Sequence, residues 1–189
     1  MKYYELMYDA EKNQGTTLLE INERSLGFNR YDVETGEMFV HWNPDIEIEY
    51  KQSNHGYFTD LLANDMDWLL ITERFKILLE VFNLRTVQFL PVTAKSHGGK
   101  ELLNAYLINI CNIIDALNLK KSEHTKHGIG KNRWISIEKY VLNKSKLEGY
   151  DIFRLKGFTN AVFVSERIVK AIKEHKITGC DFVEVKVLV

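Results

Sequence analysis

Two stretches of the chain repeat one pattern of apolar and polar positions. Leu69-Leu70-Ile71-Thr72-Glu73-Arg74-Phe75 returns as Val162-Phe163-Val164-Ser165-Glu166-Arg167-Ile168, offset by 93 residues (165 against 72). The match runs on without a gap, pairing Leu84 with Ile177, Phe89 with Phe182 and Val92 with Val185. Each copy predicts a short apolar strand (Trp68 to Ile71, Ala161 to Val164) that runs into a hydroxyl residue. Thr72 and Ser165 suit helix N-caps, since a side-chain oxygen there can accept from an orphan amide. Glu73 and Glu166 follow in the first turn, where the helix dipole favours negative charge. Phe75, Leu78, Leu79 and Phe82 then recur at helical spacing, as do Ile168, Ala171 and Ile172. Turns are expected at Asn83 and at Thr178-Gly179. Second strands follow over Val87 to Val92, where Pro91 predicts an edge or a strand end, and over the alternating Phe182 to Leu188.

Before the first copy, Tyr3 to Tyr8 and Glu37 to Trp42 read as strands, and Ile46, Ile48 and Tyr50 alternate with Glu47 and Glu49 as in a half-buried strand. Turn signals fall at Asn13-Gln14-Gly15, Thr35-Gly36 and Asn54-His55-Gly56. Residues 101–118 fit two periods: Leu103, Tyr106, Ile110, Ile113, Ile114 and Leu117 suit a helix, yet Tyr106 to Ile114 is rich in β-branched residues. Lys120 to Asn132 is polar, basic and glycine-containing and predicts a mobile loop. Trp134 to Ile137 predicts a short strand. No Pro- or Ser-rich linker parts the halves. The expectation is an α+β fold, a mixed sheet with two strand–helix–strand repeat units at about 68–92 and 161–185, in a single domain over residues 1–189.

Composition narrows the class. With 189 residues, 45% of them hydrophobic, and only two prolines, the chain is that of a globular protein. No apolar run reaches the roughly 18 residues needed to span a bilayer, and Met1 to Glu5 does not read as a secretory signal, so the cytoplasm is the expected location. Cys111 and Cys180, both in apolar surroundings, read as reduced core thiols. The net charge of −1 is unevenly spread. Residues 31–67 hold nine acidic residues against Lys51, a balance of −8, and residues 119–146 hold eight basic residues against Glu123 and Glu138, a balance of +6. Such asymmetry either solvates two faces or steers a partner.

The chemistry-bearing candidates are weak when weighed singly. His124 and His127 are too few for structural zinc, and no cysteine or third histidine is near; no metal and no cofactor are expected. Gly98-Gly99-Lys100 is a fragment of a phosphate loop without the rest of the pattern. Glu47/Glu49 and Asp65/Asp67 could serve acid–base work, or could simply be solvated carboxylates. No nucleophile elbow or dinucleotide fingerprint occurs. The basic region with Trp134 could hold nucleic acid, but a pI near 6.6 and the acidic region argue against a dedicated binder.

The order Thr59-Asp60-Leu61-Leu62, Leu70-Ile71-Thr72-Glu73-Arg74-Phe75 and Val87-Gln88-Phe89-Leu90-Pro91-Val92 resembles a bacterial immunity-protein family. It is the family numbered eleven among immunity proteins of polymorphic toxin systems, typified by a myxobacterial protein. The likeness continues through Tyr106 to Ile110, Ile114 to Leu117, Ser122, Ile152 to Gly157, Phe163 to Arg167 and Thr178 to Phe182. It covers roughly residues 57–189. Asn118 departs from the acidic residue usual in the family. The resemblance implies an α+β, non-catalytic protein that neutralises a cognate toxin encoded nearby, and it implies that Tyr106–Ile110 is a strand. Taken with the charge pattern, it makes Asp32, Glu34, Glu37, Glu47 and Glu49 the expected toxin-facing residues, with Thr72 and Ser165 as structural caps. A small-ligand enzyme using a pocket between the repeat units, or a general interaction scaffold, stays open as an alternative.

Overall fold

The computed structural model describes residues 1–11, 15–42, 46–51, 56–82, 84, 86–99, 101–128 and 134–188. The expected turns at Asn13-Gln14, Asn54-His55 and Asn83 lie outside them. The strands are β1 (Tyr3–Tyr8), β2 (Leu19–Ile21), β3 (Ile48–Tyr50), β4 (Leu61–Leu62), β5 (Leu70–Ile71), β6 (Val87–Ser96), β7 (Leu102–Ile110), β8 (Ile113–Ile114), β9 (Glu123–His127), β10 (Trp134–Lys139), β11 (Val141–Asn143), β12 (Ile152–Leu155), β13 (Phe158–Ser165) and β14 (Cys180–Leu188). Helix α1 (Glu73–Glu80) lies between β5 and β6, and α2 (Glu166–Glu174) between β13 and β14. The strands form two six-stranded sheets, ordered β11-β14-β1-β13-β12-β8 and β2-β3-β6-β7-β5-β4, and a separate β9-β10 ribbon. Mixed sheets with few helices agree with the α+β expectation.

Strand alternation sorts the apolar residues into three layers. Ile71, Ile108, Ile110, Leu6, Ile152, Val162 and Val164 face inward from the two sheets and meet Phe75, Leu78 and Leu79 of α1 and Ile168, Val169 and Ile172 of α2 in one core. Full burial of a side chain of this size contributes about 1.5–3 kcal/mol. The opposite face of the second sheet carries Leu70, Leu90, Val92 and Leu107. The opposite face of the first carries Tyr3, Phe153 and Phe163.

Both repeated segments run strand–helix–strand. In each, the two strands are parallel and separated by a third that is antiparallel to both. β7 fills that place in the first unit, setting Leu107 between Leu70 and Leu90 and Tyr106 between Ile71 and Pro91. β1 fills it in the second, setting Glu5 between Phe163 and Val183 and Tyr4 between Val164 and Glu184. Each flanking residue of the second unit lies 93 positions after its counterpart. The hairpin partners agree too: Leu61 and Leu62 face Ile71 and Leu70, while Ile152 and Phe153 face Val164 and Phe163.

Several local expectations change. Residues 102–110 form a strand rather than a helix, as the family resemblance implied. Glu37 to Trp42 is not a strand: Phe39 and Trp42 instead pack with Phe28, which also stacks on Trp68. The basic stretch is not wholly a loop, because Glu123–His127 pairs with β10; residues 129–132 lie outside the described residues. Pro91 sits inside β6, where β3 covers only Ala94 to Ser96, so its missing N–H costs no ladder bond on that side. Gly98 and Gly99, with φ of 93° and 70°, form the β6–β7 turn, which only glycine adopts readily.

Candidate functional site

The acidic candidates fall into two groups. Ile46, Ile48 and Tyr50 are buried, which turns Glu47 and Glu49 outward together, as alternation predicts. Glu20 pairs across from Glu49, and Asp65 joins them around an open groove. Asn22 Nδ2 donates to Glu47 at 2.6 Å, and His97 Nε2 lies 3.4 Å from Glu49. The other group lies on the segment that crosses β6 and β7. Asn109 Nδ2 donates to the Glu37 carbonyl and Gln88 Nε2 to that of Phe39, while the Asp32 carboxylate accepts from the Asn29 amide. Gln88 and Lys95, beside which the two groups sit, are seven residues apart on one strand, about 23 Å. The structure therefore brings Glu47 and Glu49 together with Glu20, a residue the sequence reading passed over, and not with Asp32, Glu34 and Glu37.

The motifs at the two strand–helix junctions acquire a third member. Asp60 Oδ1 accepts from the Thr72 hydroxyl at 2.9 Å and Asp60 Oδ2 from Arg74 Nη1 at 2.8 Å. Asp151 Oδ1 accepts from Ser165 at 2.5 Å and Oδ2 from Arg167 Nη1 at 3.2 Å. Thr72 also accepts from the Phe75 amide at 3.4 Å, so it caps α1. Ser165 holds the N-cap position of α2 but makes no side-chain cap bond, which corrects its expected role. Its hydroxyl donates to Asp151 alone, whereas that of Thr72 both donates to Asp60 and accepts from its helix. The arginines reach across to the opposite unit. Arg74 Nη2 donates to the carbonyls of His175 and Lys176 just past α2, and Arg167 lies 5.6 Å from the centre of the Phe82 ring just past α1. His175 and Phe82 are again 93 residues apart. These contacts link the segment around α1 to the segment around α2. Thr72→Ala, which removes both a cap and a part-buried hydroxyl donor, is expected to cost about 1–2 kcal/mol by urea denaturation; Ser165→Ala, which removes one buried donor, about 1 kcal/mol.

His124 and His127, three apart on a strand, project to opposite faces and cannot share an ion. His127 stacks on Trp134, with centroids 5.3 Å apart, and contacts Ser136 Oγ at 2.8 Å. No group of three or more metal-ligating side chains occurs among the described residues. Both cysteines are free, and burial pushes the Cys180 thiol up to about 12.

A cavity of about 410 Å³ opens between the two sheets, lined by Leu61 to Asn64 and Asp67 to Leu69 on one side, Arg154 and Asn160 to Val162 on another, and Glu5 to Tyr8. Burial lowers the Arg154 guanidinium to about 10, opposed by the charge of Glu34. Burial also raises the Glu5 carboxyl above its ordinary 4.5. A raised acid is harder to ionise in the folded state, so stability falls as pH climbs from 4.5 through the folded value and stays lower above it. Glu5→Gln removes that loss: its melting midpoint should exceed wild type at pH 7 and draw level near pH 4. A gap independent of pH would show that ionisation of Glu5 is not the cause.

No helix of the described residues is long and apolar enough to cross a membrane. No curated protein matches the sequence. The family model described as "Immunity protein family (Imm11)" matches residues 2–187, nearly the whole length. A chain matched over that span, with the order of motifs that the resemblance picked out, belongs to the Imm11 immunity protein family.

Proposed function

We propose that this chain is a cytoplasmic immunity protein that binds and neutralises one cognate toxin, encoded nearby, by non-catalytic protein–protein contact. The observation that carries the reading is the family match over residues 2–187. The family is generally non-catalytic, and the carboxylates examined fit recognition better than acid–base work. Glu20, Glu47 and Glu49 share an exposed strand face, and Asp60 and Asp151 are spent on structural bonds. We also infer that residues 1–189 form one domain of two structurally similar units at about 68–92 and 161–185. The shared register around β7 and β1, the shared core and the reciprocal arginine contacts support this.

The row Glu47–Glu49, extended by Glu20, is the proposed toxin-facing surface, with Asp32, Glu34 and Glu37 a second and separate contact. Complementary charge speeds association and rejects wrong partners, which suits a protein that must act before damage accumulates. The test is co-expression with the toxin encoded beside the gene, followed by stopped-flow association. Wild type should rescue growth. The triple variant Glu20→Gln, Glu47→Gln, Glu49→Gln should fold normally, associate about tenfold more slowly at low salt and lose most of its salt dependence. Failure of wild type to rescue would remove the immunity reading. Unchanged association by a rescuing triple variant would remove only the interface.

A further inference from the structure

We propose that the cavity between the two sheets binds a small, apolar monocarboxylate whose carboxylate pairs with Arg154. The starting observation is a buried cation on which Glu34 acts by charge, but to which no carboxylate is bonded among the described residues. Arg154 is 5% exposed. It follows Ile152 and Phe153 on β12 as Ala63 follows Leu61 and Leu62 on β4, so in the twin unit the same place is filled by a methyl group. Burying a guanidinium costs several kcal/mol unless it is paired and hydrogen-bonded. Its Nη1 donates to the carbonyl oxygens of Thr159 and Asn160, neither of them charged. Its buried Nε has no hydrogen-bond partner. The Nε donor is thus unused, and the Nε side of a guanidinium is one that takes a carboxylate side-on.

The walls define the rest of the ligand. By alternation Arg154 lies on the inner side of β12 with Ile152 and opposite Val162, at one end of the shared core. Leu6, Leu61, Leu69 and Trp68 line the same space, enough for an aliphatic or aromatic body of a few carbons. Glu5 and Asp67 also line it. Their charges weigh against a dianion such as phosphate and favour a single negative charge held at Arg154. An uncharged ligand would leave the guanidinium as it is.

The test uses the full chain and does not depend on the immunity reading. Melting midpoints are measured with hexanoate, benzoate, hexanamide and inorganic phosphate. Hexanoate or benzoate at about ten times its Kd should raise the midpoint saturably by about 3–5 °C. Hexanamide and phosphate should not. Arg154→Met, which keeps the volume and removes the charge, should fold and lose the shift. Should that variant not fold, Ala63→Phe fills the cavity from the opposite wall and should lose the shift instead. The proposal is overturned if neither carboxylate shifts the midpoint, if hexanamide or phosphate does as well, or if the folded variant keeps the shift.

Discussion

Replacing Asp60 by Ala should cost about 3 kcal/mol, close to twice the loss at Asp151. Both carboxylates accept from a junction hydroxyl and an arginine, but Asp60 does more. It also accepts from the Thr178 amide at 2.9 Å and the Thr178 hydroxyl at 3.0 Å, which tie β4 to the turn after α2. Each arginine side chain is more than half exposed, so its ion pair adds little in either unit. The difference lies in the two Thr178 bonds that Asp60→Ala removes, at about 1 kcal/mol each. For a chain of this length a 3 kcal/mol loss lowers the melting midpoint by about 6–12 °C. Equal losses for Asp60→Ala and Asp151→Ala would mean that the Thr178 bonds contribute nothing.

The second large effect is expected at Gly179, in the same turn. Its φ is +87°, and an added Cβ would stand 2.6 Å from the Leu61 carbonyl oxygen and 2.8 Å from Thr59. The Leu61 oxygen is backbone and cannot swing away. Asp9 N donates to the Gly179 carbonyl at 3.0 Å, so a shifted turn would also pull on the end of β1. Gly179→Ala should therefore lose about 3 kcal/mol or more, with strain and steric conflict acting together. Gly157 supplies the control. Its φ is +81°, with nothing within 4 Å of a built Cβ, so Gly157→Ala should show the conformational cost alone, about 1 kcal/mol. If the two substitutions cost the same, close approach at Gly179 is not what selects glycine.

The junction motifs were legible in the sequence because the stretch from Leu69 to Val92 shares its apolar pattern with its twin without a gap. Their aspartates were not. Leu62 and Leu70 face each other across eight residues, Phe153 and Phe163 across ten, so Asp60 and Asp151 fall 91 apart, off the 93-residue register. The strand that completes each unit was equally hidden, since β7 follows its unit and β1 lies at the far end of the chain. Residues 102–110 were ambiguous for a physical reason. Leu107 faces one core and Ile108 the other, and a strand buried on both faces loses the alternation that marks it. β9 read as part of a loop, although Trp134 to Ile137 of its partner β10 read as a strand, because β9 pairs only with β10 among the described residues and keeps most of its polar residues in solvent. Arg154 looked like any charged residue in an apolar strand; only its burial and its comparison with Ala63 single it out.

The placement of β1 also orders events in time. The strands of the first unit, β4 to β7, all lie between Leu61 and Ile110, so their pairings can close as soon as that stretch is made. β1 waits much longer. Its partners begin at Phe158, and Tyr3 meets Ser165 only after the 161 positions between them have been synthesised. Pairings between such distant segments are slow to form, and a strand without its partners offers two open edges to other chains. During synthesis the first unit can thus mature while Tyr4 and Leu6, destined for the shared core, stay uncovered. Of the strands in this fold, β14 is made after all the others, and it closes the second edge of β1, made before them.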